Sequence, residues 1–234
     1  MLTVACVLRS SGNTYNASWV HRLQRNVAKH LTVPYRFVCL TNLKSIEDVE
    51  TIKLTESWPG WWSKLELFAT NRFNGPVLYM DLDMMSCGNI DALAQNWSGL
   101  VMLRDCEKFR HVENSGLMWF DPTKNSVYEN IFHEFKTNPM ETMKAYSGVN
   151  GVTMFGDQGF IARTMEKHKQ PIIKWQDVLK PEWFLEFSYL DKINPKIADM
   201  TYNKDARICY SLGYPKFPNM PDHPLVKEHW EINK

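Results

Sequence analysis

The stretch from Val77 to Asp91, VLYMDLDMMSCGNID, runs an apolar strand straight into two carboxylates one residue apart. Val77 to Met80 reads as a short, fully buried strand. The period of two along an extended chain then sets Asp81 and Asp83 on the same side, with Leu82 between them. Their charges converge. In open α/β sheets ligands collect at the carboxyl ends of strands, so such a pair suits a divalent cation, Mn²⁺ or Mg²⁺, that grips a diphosphate. An acidic turn closing a strand would look the same in isolation, and the flanking motifs are what weigh against it.

The chain of 234 residues is long enough for one domain with a substantial core. A single domain over 1–234 is the expectation, with a nucleotide-binding half over 1–100 and an acceptor half with a closing segment over 101–234. With 27 basic against 26 acidic residues, the formal charge of +1 announces neither nucleic acid nor anionic membrane as a partner. The five cysteines, Cys6, Cys39, Cys87, Cys106 and Cys209, are widely spaced and form no Cys-x-x-Cys. Reduced, mostly buried thiols are expected, rather than a disulfide framework or a zinc site. The amino terminus enters an apolar strand at Thr3 without a signal-peptide pattern, and no segment reaches the roughly 18 apolar residues of a spanning helix. A cytoplasmic protein without a membrane span or an obligate protein partner is expected. Asn16-Ala-Ser and Asn96-Trp-Ser match the glycosylation sequon, which carries no weight without secretion.

Strands are expected at Thr3 to Leu8, Tyr35 to Leu40, Thr51 to Leu54 and Val77 to Met80. A helix is expected through Trp19, Leu23, Val27 and Leu31, and another from Trp62 to Phe73. Alternation of this kind implies an α/β fold, a mostly parallel sheet with helices on both faces. Further along, strands are expected at Leu100 to Leu103 and Gly116 to Phe120, and helices at Ser126 to Lys136 and Gln158 to Lys167. From Pro171 periodicity weakens, which suggests a wrapped carboxyl-terminal region closed by Asp222 to Trp230. Leu8 and the loop from Arg9 to Asn16 should meet the nucleotide, with Tyr15 able to stack on a base. The aromatic run Trp58-Pro-Gly-Trp-Trp62 offers a platform for a sugar or a base, or packs in the core.

Four motifs, taken in order, resemble the family 8 glycosyltransferases of the GT-A fold, the group that includes glycogenin and bacterial galactosyltransferases. Trp62-Ser-Lys-Leu-Glu-Leu-Phe68 is similar to the family's aromatic-Ser-Lys-Leu helix. Tyr79 to Asp83 with Gly88 to Asp91 resembles its Asp-x-Asp signature and downstream Asn-Ile-Asp. Asn114-Ser-Gly-Leu-Met118 is similar to its Asn-Ser-Gly strand, and Gly156-Asp-Gln-Gly159 to its Asp-Gln motif. The resemblance spans about Leu2 to Phe160. It implies a UDP-sugar donor, transfer with retention, and a donor-sugar site lined by Asp105, Asn114, Ser115, Asp157 and Gln158. One element departs from the pattern. The family's carboxyl-terminal His-Phe-x-Gly segment supplies a third metal ligand, and its counterpart here, Tyr210-Ser-Leu-Gly213 followed by Lys216, has no histidine. Tyr210, water or His223 then completes the metal site, or the metal waits for the diphosphate.

As the sugar leaves a nucleotide diphosphate, charge builds on the phosphate and must meet cations. A metal neutralised by Asp81 and Asp83 falls short, so lysines must help, and Lys64 and Lys216 are the candidates. Asp157, Gln158 and Lys64 are the candidate catalytic residues, none of them an evident nucleophile. A front-face attack, in which the leaving phosphate takes the acceptor proton, needs only cations and a positioned acceptor. The acceptor is a glycan, a lipid-linked sugar or, as for some viral enzymes, a nucleic-acid base. The last reading calls for a basic groove near Lys108, Arg110, His111 and Lys167. A nucleotidyltransferase using the same metal site is a further alternative, though Ser10-Ser-Gly-Asn-Thr is a poor phosphate loop. A catalytically silent sugar-binding protein is another.

Overall fold

Runs of β-branched and apolar residues become ten strands in the computed structural model, which describes residues 1–10, 15–105, 113–147, 156–188, 204–212 and 216–230. The strands are β1 (Leu2–Leu8), β2 (Tyr35–Thr41), β3 (Glu50–Lys53), β4 (Val77–Met80), β5 (Met84–Ser86), β6 (Leu100–Arg104), β7 (Glu113–Phe120), β8 (Ile172–Lys174), β9 (Phe184–Ser188) and β10 (Ile208–Leu212). Seven of them form one sheet in the order β3-β2-β1-β4-β7-β6-β8. Only β7 runs against the others. This is the mostly parallel α/β sheet that the strand and helix alternation implies.

Alternation along β1 sorts its side chains onto the two faces of the sheet. Val4, Cys6 and Leu8 meet Trp19, Val20, Leu23 and Val27 of α1 (Ala17–His30) on one face. Ala5, with Val38, Leu40 and Tyr79, faces the other. There the covering side chains are Ile131 and Phe135 of α2 (Tyr128–Thr137), a short α3 (Pro139–Ala145) following it, and Ile161 and Met165 of α4 (Gly156–Lys167). A short α5 (Trp175–Val178) leads out of β8. Asn16 caps α1 by accepting from the Ser18 amide at 2.9 Å. The carboxamide of that sequon asparagine is therefore used within the fold.

The segment expected as a helix from Trp62 to Phe73 is instead a 3₁₀ helix from Gly60 to Phe68. Gly60 enters it at φ +52° after Pro59, and the Ser63 hydroxyl donates to the Gly60 carbonyl at 2.7 Å, which favours the tighter turn. Trp62 through Phe68 are all buried, so no solvent-facing stripe exists to support an ordinary amphipathic helix. The strand expected from Gly116 begins at Glu113, and the helix expected from Ser126 begins at Tyr128, after a turn.

The carboxyl-terminal region carries more order than its weak periodicity suggests. β9 and β10 pair in parallel, and β10 pairs antiparallel with the short β5, giving a second sheet, β5-β10-β9. A π-helical turn, Val226–Trp230, then packs Trp230 edge-on against Trp19. Cys6, Cys39, Cys87 and Cys209 are free thiols, as expected, with the Cys87 and Cys209 sulfurs 3.0 Å apart; Cys106 lies outside the described residues. No helix among the described residues is long and apolar enough to cross a membrane.

Candidate active site

β1 has β2 on one side and β4 on the other, so the loops leaving the carboxyl ends of β1 and β4 diverge and open a crevice. A cavity of about 700 Å³ fills it. Val7 and Arg9 reach it from the end of β1, and Asp81, Leu82 and Asp83 from the end of β4. Leu8, expected to meet the nucleotide, is instead fully buried on the α1 face, because the period of two sends it opposite to its neighbours. The loop that follows is anchored through Asn42, whose carboxamide accepts from the Ser10 amide at 2.8 Å and donates to the Ser10 carbonyl at 3.1 Å. Residues 11–14 lie outside the described residues.

Asp81 belongs to a buried polar cluster. The Lys64 ammonium lies 3.2 Å from Asp81 and 3.0 Å from Asp157, and donates to the Ser115 hydroxyl at 2.9 Å. Ser115 in turn donates to Asp157 at 2.6 Å. Burial pulls the Lys64 pKa down, but the charges of Asp157 and Asp81 reverse that and raise it, so Lys64 stays an ammonium. Tyr79, two residues before Asp81 and so on its side of the strand, donates its hydroxyl to the same carboxylate. Burial and the Asp81 charge raise the Tyr79 pKa well above its ordinary value, which keeps it a donor.

Asp83 carries a second cluster. It accepts from the Tyr15 hydroxyl at 2.9 Å and from the Lys216 ammonium at 2.5 Å. Lys216 also donates to the Ser211 carbonyl on β10 at 3.1 Å. Burial and the Asp83 charge raise the Tyr15 phenol as well. Gly116 separates the clusters from the β7 backbone. A Cβ there would lie 3.0 Å from Asn114 Oδ1, 3.2 Å from Asp81 Oδ2 and 3.2 Å from the Met84 methyl. The third position of Asn114-Ser-Gly is glycine because the Asp81 carboxylate needs that space, while Asn114 accepts from the Gly116 amide at 2.8 Å.

Of the residues singled out by sequence, Tyr15, Lys64, Asp81, Leu82, Asp83, Asn114, Ser115, Asp157, Gln158 and Lys216 line this one cavity. Asp105 stands behind it and accepts from Gln158 at 3.0 Å. Asp157 falls within α4 rather than before it, so its carboxylate serves the Lys64 cluster and is not the N-cap. His223 is not among the lining residues, whereas Tyr210 is. Among the described residues no three His, Cys, Asp or Glu side chains are grouped to hold a metal. Asn89 and Asp91 of the Asn-Ile-Asp segment act structurally: Asp91 accepts from the Thr32 amide at 2.7 Å and ties the end of α1 to the segment after β5. The groove residues Lys108, Arg110 and His111 lie outside the described residues, and Lys167 pairs with Glu134 at 2.9 Å. Sequence reasoning gave no role to Tyr79, although the period of two from Asp81 points to it; of the aromatic run expected as platform or core, Trp61 lines the cavity while Trp58 and Trp62 are buried.

Comparison with solved structures finds this fold among glycosyltransferases. The chain superposes on the glycosyltransferase GlyE of Streptococcus pneumoniae TIGR4 with a TM-score of 0.63 at 12% identity, over 100% of this chain and 62% of GlyE. An active-site mutant of LgtC gives 0.56 at 12%, over 99% and 98% of the two chains. The galactosyltransferase LgtC in complex with donor and acceptor sugar analogs gives 0.53 at 11%, over 92% and 88%. The chain thus spans about three-fifths of the GlyE chain. Comparison with protein-family profiles and with curated protein sequences returns no match. At these identities the likeness concerns the fold, and that fold is the GT-A type of α/β architecture.

Proposed function

We propose that this protein is a glycosyltransferase that moves a sugar from a UDP-sugar to a hydroxyl of a glycan or lipid-linked sugar, with retention at the anomeric carbon. The carrying observation is the charge of the cavity. Its charged lining is Asp81, Asp83 and Asp157 against Arg9, Lys64 and Lys216, three of each sign. A nucleoside diphosphate ester brings about two negative charges, rising to about three as the sugar departs, and a neutral cavity does not offset them. A dication on Asp81 and Asp83 offsets the two charges of the ester, and the acceptor proton taken up by the leaving phosphate offsets the third. Two carboxylates together with diphosphate oxygens are the hard donors that Mn²⁺ or Mg²⁺ prefers. When bound, the metal would polarise the phosphate oxygens as a Lewis acid.

The chain's own groups divide the remaining work. Lys64 and Lys216 sit on either acid and supply fixed positive charge to the diphosphate. Ser115, Asn114 and Gln158 present hydroxyl and amide groups to the sugar, held by Asp157, the Gly116 amide and Asp105. The buried Lys64 cluster excludes water from beneath the anomeric centre and holds its donors in fixed orientation. The leaving phosphate takes the acceptor proton, so no side-chain base is required.

Calorimetric titration of UDP with and without Mn²⁺ tests the reading, with Asp81→Asn, Asp83→Asn as the control. Binding that weakens at least tenfold, about 1.4 kcal/mol, on removing either the metal or the acids is the expected result. Metal-dependent binding of another nucleotide in place of UDP would overturn the uridine donor and keep the site. No nucleotide binding at all would favour a silent sugar-binding protein.

A further inference from the structure

Three tryptophans stand together at the start of the 3₁₀ helix, and their fates differ. Trp58 and Trp62 are buried against α2, with ring centroids 4.6 Å and 5.0 Å from Phe135. Trp61, between them, is 63% exposed and lines the cavity. In a 3₁₀ helix residues three apart eclipse, so Trp61 lies on the same face as Lys64 and about 6 Å above it at the standard rise. Lys64 is at the floor, on Asp81 and Asp157. Trp61 is therefore one turn nearer the mouth, a displacement close to the width of one pyranose ring.

A second contact fixes which side of the mouth this is. A Cβ on Gly156 would lie 3.5 Å from Trp61 Nε1 and 3.9 Å from Cδ1, so the pyrrole edge of the indole rests over the backbone at the start of α4. Gly156 adopts φ +67°, a conformation that glycine accepts without strain, and Asp157 and Gln158 follow it into the cavity. Tyr15 and Lys216, also in the lining, are both bonded to Asp83. The lining thus holds two distinct groupings: a phenol and an ammonium on Asp83, and an exposed indole over the start of α4.

We infer that Trp61 is the stacking platform for the acceptor, taking the C–H face of a terminal pyranose one sugar ring away from the donor site. This rests on the glycosyltransferase reading. A wide aromatic face with a few convergent polar groups beside it is the arrangement that binds and orients a small polar ligand with an apolar side. The indole supplies the face, and Gln158, which also reaches the donor sugar, lines the cavity where the two sugars would meet. Trp61 sets which sugar is presented and at what angle, while Lys64, one turn below, faces the donor phosphate.

The test uses protein saturated with Mn²⁺ and UDP. Methyl β-D-galactopyranoside, glucopyranoside, mannopyranoside and N-acetylglucosaminide are titrated in turn while saturation transfer to their ring protons and tryptophan fluorescence are followed. For wild-type protein at least one pyranoside should bind and quench the fluorescence. Trp61→Ala should weaken it tenfold or more and abolish saturation of its C–H face, and Trp61→Phe should restore part of both. UDP affinity measured in parallel should move less than twofold. Equal pyranoside binding by wild type and Trp61→Ala overturns the inference, as does binding of none of the four by wild type. A tenfold loss of UDP affinity in Trp61→Ala assigns the indole to the donor instead. Trp61-dependent binding of a short oligothymidine with no pyranoside binding also overturns it and points to a nucleic-acid acceptor. Failure of wild-type protein to bind UDP sinks the donor reading itself, an outcome distinct from UDP binding without pyranoside contact.

Discussion

Lys64 is the cation between the buried Asp157 carboxylate and the half-buried Asp81, and removing it leaves both without a counter-charge at the floor of the cavity. Breaking a buried pair from one side costs about 3–5 kcal/mol, far more than losing an exposed ion pair. Lys64→Met should therefore lower the unfolding free energy by an amount in that range, read as a lower denaturant midpoint with the slope unchanged. Lys64→Met, Asp157→Asn should recover a measurable part of the loss, because the second change removes one of the stranded charges. Gly116 makes a different demand, for space rather than charge. A methyl group there meets Asp81 Oδ2 at 3.2 Å and Asn114 Oδ1 at 3.0 Å, so these neighbours must give by a few tenths of an ångström. Gly116→Ala should keep the far-ultraviolet spectrum of the fold and weaken Mn²⁺-dependent UDP binding several-fold in calorimetry. Unchanged UDP binding in that variant would show that the Asp81 position tolerates displacement.

Among the elements, α1 takes its start from a single side chain, the Asn16 carboxamide on the Ser18 amide. Asn16→Ala should cost about 1 kcal/mol by thermal or chemical unfolding, the usual worth of such a cap. The strands carrying the acids were legible because their signals are local. Val77 to Met80 is an unbroken apolar run, and the spacing of Asp81 and Asp83 does not depend on distant partners. Lys64 was legible from its motif, although its bonds to Ser115 and Asp157 join three separate elements and only the fold brings them together. The helix over Gly60 to Phe68 was misjudged in type and in length, since its form follows from a left-handed glycine and burial all round, neither of which leaves a periodicity. Leu8 was one residue out of place, because alternation gives the faces of a strand but not which face meets the ligand. β5, β9 and β10 left little trace in sequence: β5 is three residues long, and its pairing with β10 is a long-range choice.

Across the whole molecule, the end of α1 meets the last described turn through His30 and His229, with ring centroids 5.6 Å apart and both rings buried. Burial lowers the His30 pKa to about 4, and His229, Lys29 and Arg207 add to the effect; burial lowers His229 too, against the pull of Glu228. The unfolded chain takes up a proton on each histidine near pH 6.5, whereas the folded chain keeps His30 neutral until about pH 4. Stability is therefore full above pH 6.5 and declines as the pH falls from there towards 4. Thermal midpoints measured across that range should drop, and His30→Gln should flatten the slope. The bond between Lys216 and Asp83 joins positions 133 residues apart in sequence, and it bears on the order of events as the chain is made. Domains begin to fold while synthesis continues. A ribosome that has released β1 to β4 has already exposed the paired acids, yet it must add the 133 residues that separate Asp83 from Lys216 before that ammonium can reach them. A nascent chain is then a protein with a nearly finished sheet and an open notch that lacks one of its cations, and Asp83 meets its ammonium only after the segment from β10 to Lys216 has emerged.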